Sequence, residues 1–238
     1  MTALRAATFN VHGCVGTDRH FALGRVAAVI RALAADVVML QEVGDHVGRE
    51  PTVDQARALA AACDMDFAVG YTMPSGPWGY GNVILTRGAI RAVDRFDLSV
   101  EGREPRGGLR VEIGLSGAVA TAVTVHLGLD RGERSRQVSQ LLGPDGPLHG
   151  VESPLVLGGD FNDWPPGLTR RALHRGFVDA ALRRMNLRGT FPSRFPLFRL
   201  DRLYSRNGLR VAGYDVVRTE LARLASDHLP VVAEYRLR

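Results

Sequence analysis

The sequence predicts an α/β domain, and three features carry that prediction. Short apolar runs closed by Gly, Pro or a polar cluster recur along the chain, as at Val37-Val38-Met39-Leu40 and Pro154-Leu155-Val156-Leu157-Gly158-Gly159, the pattern of strands buried on both faces. Ahead of the first of these runs, Phe21, Val26, Val29, Ile30 and Leu33 recur at helical spacing. A hydrophobic content of 45% in 238 residues is ample for one sizeable core. No repeat, linker or low-complexity segment divides the chain, so residues 1–238 are expected to form a single domain with many strands and several helices.

Leu4 to Val11 alternates short apolar and polar residues, as a first strand does, and stops at Asn10-Val11-His12-Gly13. The helix from His20 to Ala35 closes at Asp36 and leads into the strand Val37 to Leu40, which ends in Gln41-Glu42. Strand, helix and strand in this length make a right-handed crossover with both strand ends on one edge of a sheet. Asn10 and Glu42 are therefore expected to meet. Thr52 to Cys63 reads as an Ala-rich helix, Phe67 to Tyr71 as a strand, Met73 to Tyr80 as a loop, and Gly81 to Thr86 as a further strand of the same sheet. Strands follow at Ile90 to Leu98, Leu109 to Leu115 and Ala118 to Val125, the last two joined by a hairpin through Ser116-Gly117, and the final one ends in His126. Arg131 to Leu142 is a polar helix with Gln137 and Leu141 toward the sheet. After the central run ending in Gly159-Asp160-Phe161-Asn162 come a short helix near Leu168 to Arg175 and a Phe-rich loop from Thr190 to Phe198. A strand then carries Arg199 to Tyr204, another lies near Val211 to Val217, and Ser226-Asp227-His228-Leu229-Pro230 precedes the closing strand Val231 to Tyr235.

Composition removes several classes of function. No charged segment precedes an apolar one as in a signal peptide, and no apolar run is long enough to span a bilayer, so a soluble, cytoplasmic monomer is expected. Cys14 and Cys63 alone supply neither a disulfide scaffold nor a Cys-rich zinc site. All 30 basic residues are Arg, spread without a run, giving a net charge of +5. The absence of Lys excludes Schiff-base chemistry and a P-loop. A Gly-rich dinucleotide fingerprint and a Gly-x-Ser-x-Gly elbow are missing as well.

What remains is a set of polar residues at strand ends: Asn10, Glu42, His126, Asp160, Asn162, Asp201, Asp227 and His228. Gathering four carboxylates into one cleft costs several kcal/mol of repulsion and desolvation unless their pKa values rise or a cation sits among them. Carboxylate and amide oxygens without Cys select a hard ion, Mg²⁺ or Mn²⁺, over zinc. A hard metal, two imidazoles and a carboxylate pair meet the needs of phosphoester hydrolysis: charge neutralisation, an oriented water and a proton donor.

Asn10 in Thr8-Phe9-Asn10-Val11, Gln41-Glu42-Val43, Gly159-Asp160-Phe161-Asn162, Leu200-Asp201-Arg202 and Ser226-Asp227-His228-Leu229-Pro230 resemble, in order and across nearly the whole chain, the motifs of the endonuclease/exonuclease/phosphatase superfamily of deoxyribonuclease-like metal-dependent hydrolases. Within it the chain is most similar to small bacterial members. The resemblance implies a four-layered α/β sandwich, two mostly antiparallel mixed β-sheets packed face to face with helices on the outside and the site at one edge. It implies that Glu42 ligates Mg²⁺, for which Mn²⁺ can substitute, with Asn10 and Asp227 in or next to its shell. Asp160 would align or deprotonate the water with help from Asn162. His228, oriented by Asp201, would stabilise or protonate the phosphate oxygens. His126 falls where nuclease- and sphingomyelinase-like members carry a His and abasic-site nucleases a Tyr; which imidazole is acid and which base stays open. Deoxyribonuclease-like members hold the His corresponding to His126 with a Glu, and this chain has Gly81-Asn82 there instead, so Asn82 is read as a phosphate contact.

Arg106, between Pro105 and Gly107, is read as a phosphate clamp set against a solvated face. Trp164 is expected to pack under the site loop. Phe191, Phe195 and Phe198, interleaved with Arg194 and Arg199, suit either a base-stacking platform or a hydrophobic lid. His12, His20, His46, His149 and His174 receive no role. The expected function is a divalent-metal-dependent phosphodiesterase acting on nucleic acid, DNA or RNA, by in-line attack of an activated water. A phospholipid or small-molecule phosphodiesterase or phosphatase is the alternative, and a non-catalytic phosphate-binding module is the alternative of another class.

Overall fold

Strands β1 (Ala3–Asn10) and β2 (Val37–Val43) run parallel, with Asn10 opposite Gln41, and helix α1 (Leu23–Leu33) makes the crossover between them. A second parallel pair repeats the arrangement: β7 (Ala118–His126) lies beside β8 (Leu155–Asp160), with His126 opposite Asp160, and α3 (Arg131–Leu142) falls between them in the chain. Two adjacent parallel strands end on the same edge, so the paired ends are Asn10 with Gln41-Glu42, and His126 with Asp160. The computed structural model describes residues 3–44, 53–75, 77–115, 118–164 and 168–237. His46, Thr52 and the Ser116-Gly117 turn lie outside the described residues.

The remaining strands pair antiparallel around these centres. In the first sheet β11 (Leu209–Val216) and β12 (Val231–Leu237) flank β1, while β4 (Trp78–Thr86) and β3 (Asp66–Ser75) extend β2, giving the order β11-β12-β1-β2-β4-β3. In the second, β5 (Ala89–Asp97) and β6 (Gly107–Leu115) flank β7, while β10 (Asp201–Arg206) and the two-residue β9 (Val178–Asp179) extend β8, giving β5-β6-β7-β8-β10-β9. Each six-stranded sheet is thus mixed but mostly antiparallel, as expected. An antiparallel neighbour presents its N-terminal end where a parallel strand presents its C-terminal end. That is why Asp201, the first residue of β10, stands opposite Asp160, and why the residues just ahead of β12 lie past the end of β1.

The strands of β8 and β7 show why two-sided apolar runs belong in the middle of such a sandwich. Val156 of β8 and Ala120 and Ala122 of β7 join the core between the sheets, which also holds Met39, Leu109 and Leu203. Leu155, Leu157, Val123 and Val125 turn outward to a second core with Val138 and Leu141 of α3 and Leu173 of α4 (Leu168–Leu173). On the far side, α1 and α2 (Gln55–Cys63) bury Ile30, Leu33, Leu59 and Cys63 against the first sheet. Helix, sheet, sheet and helix make four layers. Two short helices, α5 (Ala180–Arg183) and α6 (Glu220–Ala225), have too few turns for their periodicity to stand out in the sequence.

The expected loop from Met73 to Tyr80 is instead the tip of a hairpin, in which Met73 pairs with Tyr80 and Ser75 with Trp78. Pro74 is tolerated because β3 is an edge strand, where a missing N–H breaks no ladder bond. Gly79 is required because the Tyr71 ring fills the place of its side chain.

The two glycines before Asp160 set how closely the layers approach. A Cβ on Gly158 would lie 2.7 Å from the Met39 methyl of the opposing sheet, and one on Gly159, where φ is +154°, would lie 2.0 Å from the Val125 carbonyl oxygen of β7. Gly159→Ala is therefore expected to cost about 2 kcal/mol or more, since neither the backbone angle nor the adjacent strand can yield cheaply. Chemical denaturation of the purified variant measures it, and a loss within about 0.5 kcal/mol of zero would show that the β7–β8 pairing is looser than described.

Candidate active site

Asp160 ends β8 almost wholly buried, and its two oxygens have different surroundings. Oδ1 accepts the Asn162 backbone N–H at 2.9 Å, which turns the chain sharply after the strand, and Asn162 takes a φ of +44° to make that turn. Oδ2 faces three nitrogens: the Asn10 amide at 3.2 Å, His126 Nε2 at 3.6 Å and His228 Nε2 at 3.7 Å. Burial above all, with Asp201 and Glu42 adding to it against His228 and the Asn162 N–H, pushes the Asp160 carboxyl up to about 6.

Asn10 ties this carboxylate to the other sheet. Its amide oxygen accepts the His12 backbone N–H at 3.1 Å, and because a backbone N–H can only donate, the amide nitrogen is the atom that faces the carboxylates. That nitrogen donates to Glu42 Oε1 at 2.8 Å as well as to Asp160. Asn10 and Glu42 do meet. Glu42 sits beyond an irregularity in the β2–β4 pairing with a φ of +56°, which a non-glycine residue adopts at a cost of about 1–3 kcal/mol. The Tyr80 hydroxyl hydrogen-bonds Glu42, and burial with that carboxylate beside it pushes the phenol far up, so it remains a donor.

The two imidazoles differ in charge. His228 Nδ1 lies 2.9 Å from Asp201 Oδ2, and Asp160 lies across its other nitrogen. Burial pulls this imidazole down, but Asp201 and Asp160 together outweigh it and push it up to about 10, so His228 is an imidazolium at neutral pH. His126 Nδ1 lies 3.3 Å from Arg106 Nη1 and Nε2 lies 3.3 Å from Asn162 Nδ2; both neighbours are donors, and a neutral ring accepts from one of them. Burial, then the charges of Arg106 and His228, hold it well below the usual imidazole range, and it is neutral. Arg106 thus occupies the flank where deoxyribonuclease-like members were expected to place a Glu, and Glu104 pairs with that guanidinium at 3.0 Å.

Asp227 is more open. Its carboxylate lies 3.3 Å from Ser226 Oγ and 3.8 Å from His12 Nδ1, and the segment is tied to β1 because the Ser226 hydroxyl donates its proton to the Asn10 carbonyl at 2.8 Å. His12 therefore belongs to the neighbourhood of the site although the sequence offered no reason to single it out. Asn82 does not line the cleft: it is 1% exposed, and its amide donates to the Gly107 carbonyl of the other sheet at 2.9 Å. Its neighbourhood is the seam between the sheets, which corrects its reading as a phosphate contact.

Glu42, His126, Asp160, Asn162 and His228 open on a cleft of about 270 Å³. Tyr80, Glu104 and Arg106 also line it, as do the apolar Leu129, Trp164, Phe191 and Leu200. Trp164 packs against Phe198 at 4.6 Å and Phe191 at 5.9 Å between ring centres, and Phe191 lies 4.8 Å from the His228 ring. A larger depression of about 730 Å³ near α3 and α4 is lined by none of the expected site residues.

Buried ion pairs brace the site from behind. Arg202, next to Asp201, reaches Asp163 at 3.5 Å and Asp179 at 3.7 Å; Asp179 also takes both guanidinium nitrogens of Arg199 at 2.9 Å. Arg134 of α3 holds the Gly128 carbonyl at 3.1 Å in the loop that follows His126. Asp163, Arg202 and Arg134 receive no role from the sequence because the ion pairs from Arg202 join segments far apart in the chain, and the Arg134 contact is with a backbone carbonyl.

Sandwich and site together define the class of deoxyribonuclease-like phosphoester hydrolase folds. The chain belongs to the Endonuclease/Exonuclease/phosphatase family, whose model matches residues 7–228; its members are generally hydrolases of phosphoesters and typically depend on divalent metal. It is 33% identical to the uncharacterized protein YbhP of Escherichia coli (strain K12), covering 99% of this chain and 97% of that one. Among solved structures, an endonuclease/exonuclease/phosphatase from Beutenbergia cavernae DSM 12333 superposes with a TM-score of 0.84 at 24% identity, covering 100% of this chain and 72% of the other. Mannosyl-6-phosphatase Bt3783 of Bacteroides thetaiotaomicron VPI-5482 does so with 0.80 at 20% identity, covering 98% and 100%. At these identities the structures attest the fold.

The imidazolium of His228 has a consequence for stability. The folded state holds this proton between the ordinary value of 6.5 and about 10, so its stabilising contribution is complete below pH 6.5 and is lost as pH rises toward 10. In thermal melts with chelator, the deficit of His228→Gln against wild type is expected to be largest near pH 6 and to shrink by about pH 10. A deficit that stays constant across this range would contradict the charge pairing.

Proposed function

We propose that this protein is a Mg²⁺-dependent phosphoester hydrolase, Mn²⁺ substituting, that attacks phosphorus with water held by Asp160. One observation carries the reading: Asp160 Oδ2 is aimed at the cleft among Asn10, His126 and a charged His228 backed by Asp201. A titratable carboxylate raised to about 6 is placed to take a proton near neutral pH, and an adjacent imidazolium is placed to give a hydrogen bond.

The donor chemistry fits a hard cation. Glu42 and Asp227 offer carboxylate oxygens, and Asn10 braces Glu42 from beside the shell through its amide nitrogen. Asp160, Asp201 and His228 also lie close enough together to hold an ion, but His228 Nδ1 is committed to Asp201 at 2.9 Å, which suits a proton-donating pair better than a cage. Glu42 and Asp227 are therefore assigned as the holders. Bound there, Mg²⁺ neutralises the phosphate and stabilises charge developing on its oxygens.

Asp160, with Asn162 fixing its orientation, takes the proton of the attacking water as the new P–O bond forms and the bond to the leaving oxygen breaks. His228 Nε2–H donates to a non-bridging phosphate oxygen, and Asp201 keeps the ring aligned. His126, held neutral, is suited to accept a hydrogen bond. Arg106 sits where it can pair with a phosphate oxygen in exchange for Glu104. The Bacteroides thetaiotaomicron neighbour is a phosphatase by its name, in keeping with phosphoester chemistry on this scaffold.

Purified protein is expected to hydrolyse an aryl phosphodiester with Mg²⁺ or Mn²⁺, to stop in EDTA, and to lose about 100-fold or more in kcat in Glu42→Gln and in His228→Ala, with circular dichroism confirming that both variants fold. Turnover that survives EDTA and both substitutions would overturn the mechanism. Parallel assays on nicked plasmid, an oligonucleotide and phospholipid assign the substrate class.

A further inference from the structure

Phe191, which lines the cleft, begins a segment that reaches the surface. Segment 191–198 doubles back on itself, Phe191 and Phe198 exchanging backbone hydrogen bonds at 2.9 Å, and its base is packed on Trp164 and His228. Its tip is bolted down. The buried Ser193 Oγ, with its single proton, lies 2.7 and 3.0 Å from the Ser226 and Arg223 carbonyls, and Arg223 in turn holds the carbonyls of Ser193 and Arg194 at 2.7 and 3.0 Å. From this fixed tip Phe195 and Leu197 project into solvent, 77% and 75% exposed, with the exposed Arg194 beside them. Leu129, in the cleft wall itself, is 67% exposed. Large apolar side chains held out by a braced backbone at the mouth of a polar cleft mark a surface that meets an apolar partner.

We propose that Phe195, Leu197 and Leu129, with Arg194, dock the cleft mouth onto the surface of an anionic phospholipid bilayer, so that the phosphoester attacked is one displayed at that surface. The inference rests on the hydrolase reading for its second half alone; the docking itself requires no turnover. Leucine side chains cannot stack on bases but do partition among acyl chains, and the aromatic ring sits well at the headgroup boundary. A single-stranded nucleic acid would ask for a basic track alongside the aromatics. Arg199, the second guanidinium that such a platform would use, is instead buried in its pair with Asp179, and the cleft lining includes the acidic Glu104. Arg194 and the net charge of +5 favour anionic headgroups.

Co-sedimentation with mixed phosphatidylglycerol–phosphatidylcholine vesicles tests the surface directly. Wild-type protein is expected to bind, with weaker binding to phosphatidylcholine alone, and the Phe195→Ser/Leu197→Ser double variant to bind at least about tenfold more weakly while hydrolysing a soluble aryl phosphodiester within about twofold of wild type. Absence of wild-type binding, or equal binding by the double variant, would overturn the proposal. So would a single-stranded oligonucleotide whose binding the double variant loses in fluorescence anisotropy while vesicles are ignored, since the loop would then be a base platform. Protein that binds vesicles but hydrolyses nothing would leave the docking surface standing and sink the hydrolase reading; active protein that ignores vesicles would do the reverse.

Discussion

A carboxylate buried between two sheets must be answered, and the rest of the site is the answer to Asp160. Removing an ionised carboxylate from water costs several kcal/mol even after relaxation. Here one oxygen is satisfied by the backbone turn at Asn162, and the other looks at Asn10, His126 and His228. Only His228 brings a full positive charge, and it can be charged in so buried a place because Asp201 stands behind it. The compensation is incomplete, as the elevated Asp160 carboxyl shows. An incompletely neutralised pocket is a poor stabilising device and a good place to bind a cation and move a proton.

Topology supplies the crowding. Two parallel strand pairs, one in each sheet, end at the same rim, and their antiparallel neighbours begin there. Six strands can then deliver one or two polar residues each to a small volume without any of them needing a long loop, which keeps the groups on rigid elements. The glycines ahead of Asp160 permit the close approach, and the ion pairs from Arg202 to Asp163 and Asp179 hold the neighbouring turns from behind. Buried pairs of this kind contribute little net stability relative to apolar packing. Their placement next to Asn162 and Asp201 gives them a positioning role that composition alone would not suggest.

Much of this was legible in the chain. The strand ends at Asn10, Glu42, His126 and Asp160 announced themselves because apolar periodicity stops abruptly at a polar residue, and the crossover rule placed Asn10 beside Glu42 before any coordinates. Asp201 as the partner of His228 followed from the need to hold an imidazole by its second nitrogen, although two arginines flank that aspartate; the structure sends Arg199 and Arg202 to Asp179 and Asp163 instead. Asn82 was read as a phosphate contact because it stands where the resembling members carry a Glu, whereas here its amide makes a bond between the sheets and Gly81 permits a close strand contact. Tyr80, Glu104 and His12 were passed over because each reaches the site through a contact with a residue far away in sequence or around a tight turn, for which no local pattern exists.

Under the proposed division of labour Glu42 and Asp227 would hold the cation, while Asp201 and His228 keep a proton between them. Anomalous scattering from crystals grown with Mn²⁺ measures it most directly. The account predicts a peak within bonding distance of Glu42, with the Asp201–His228 hydrogen bond intact. A peak bounded by Asp160, Asp201 and His228, with that hydrogen bond broken, would contradict it.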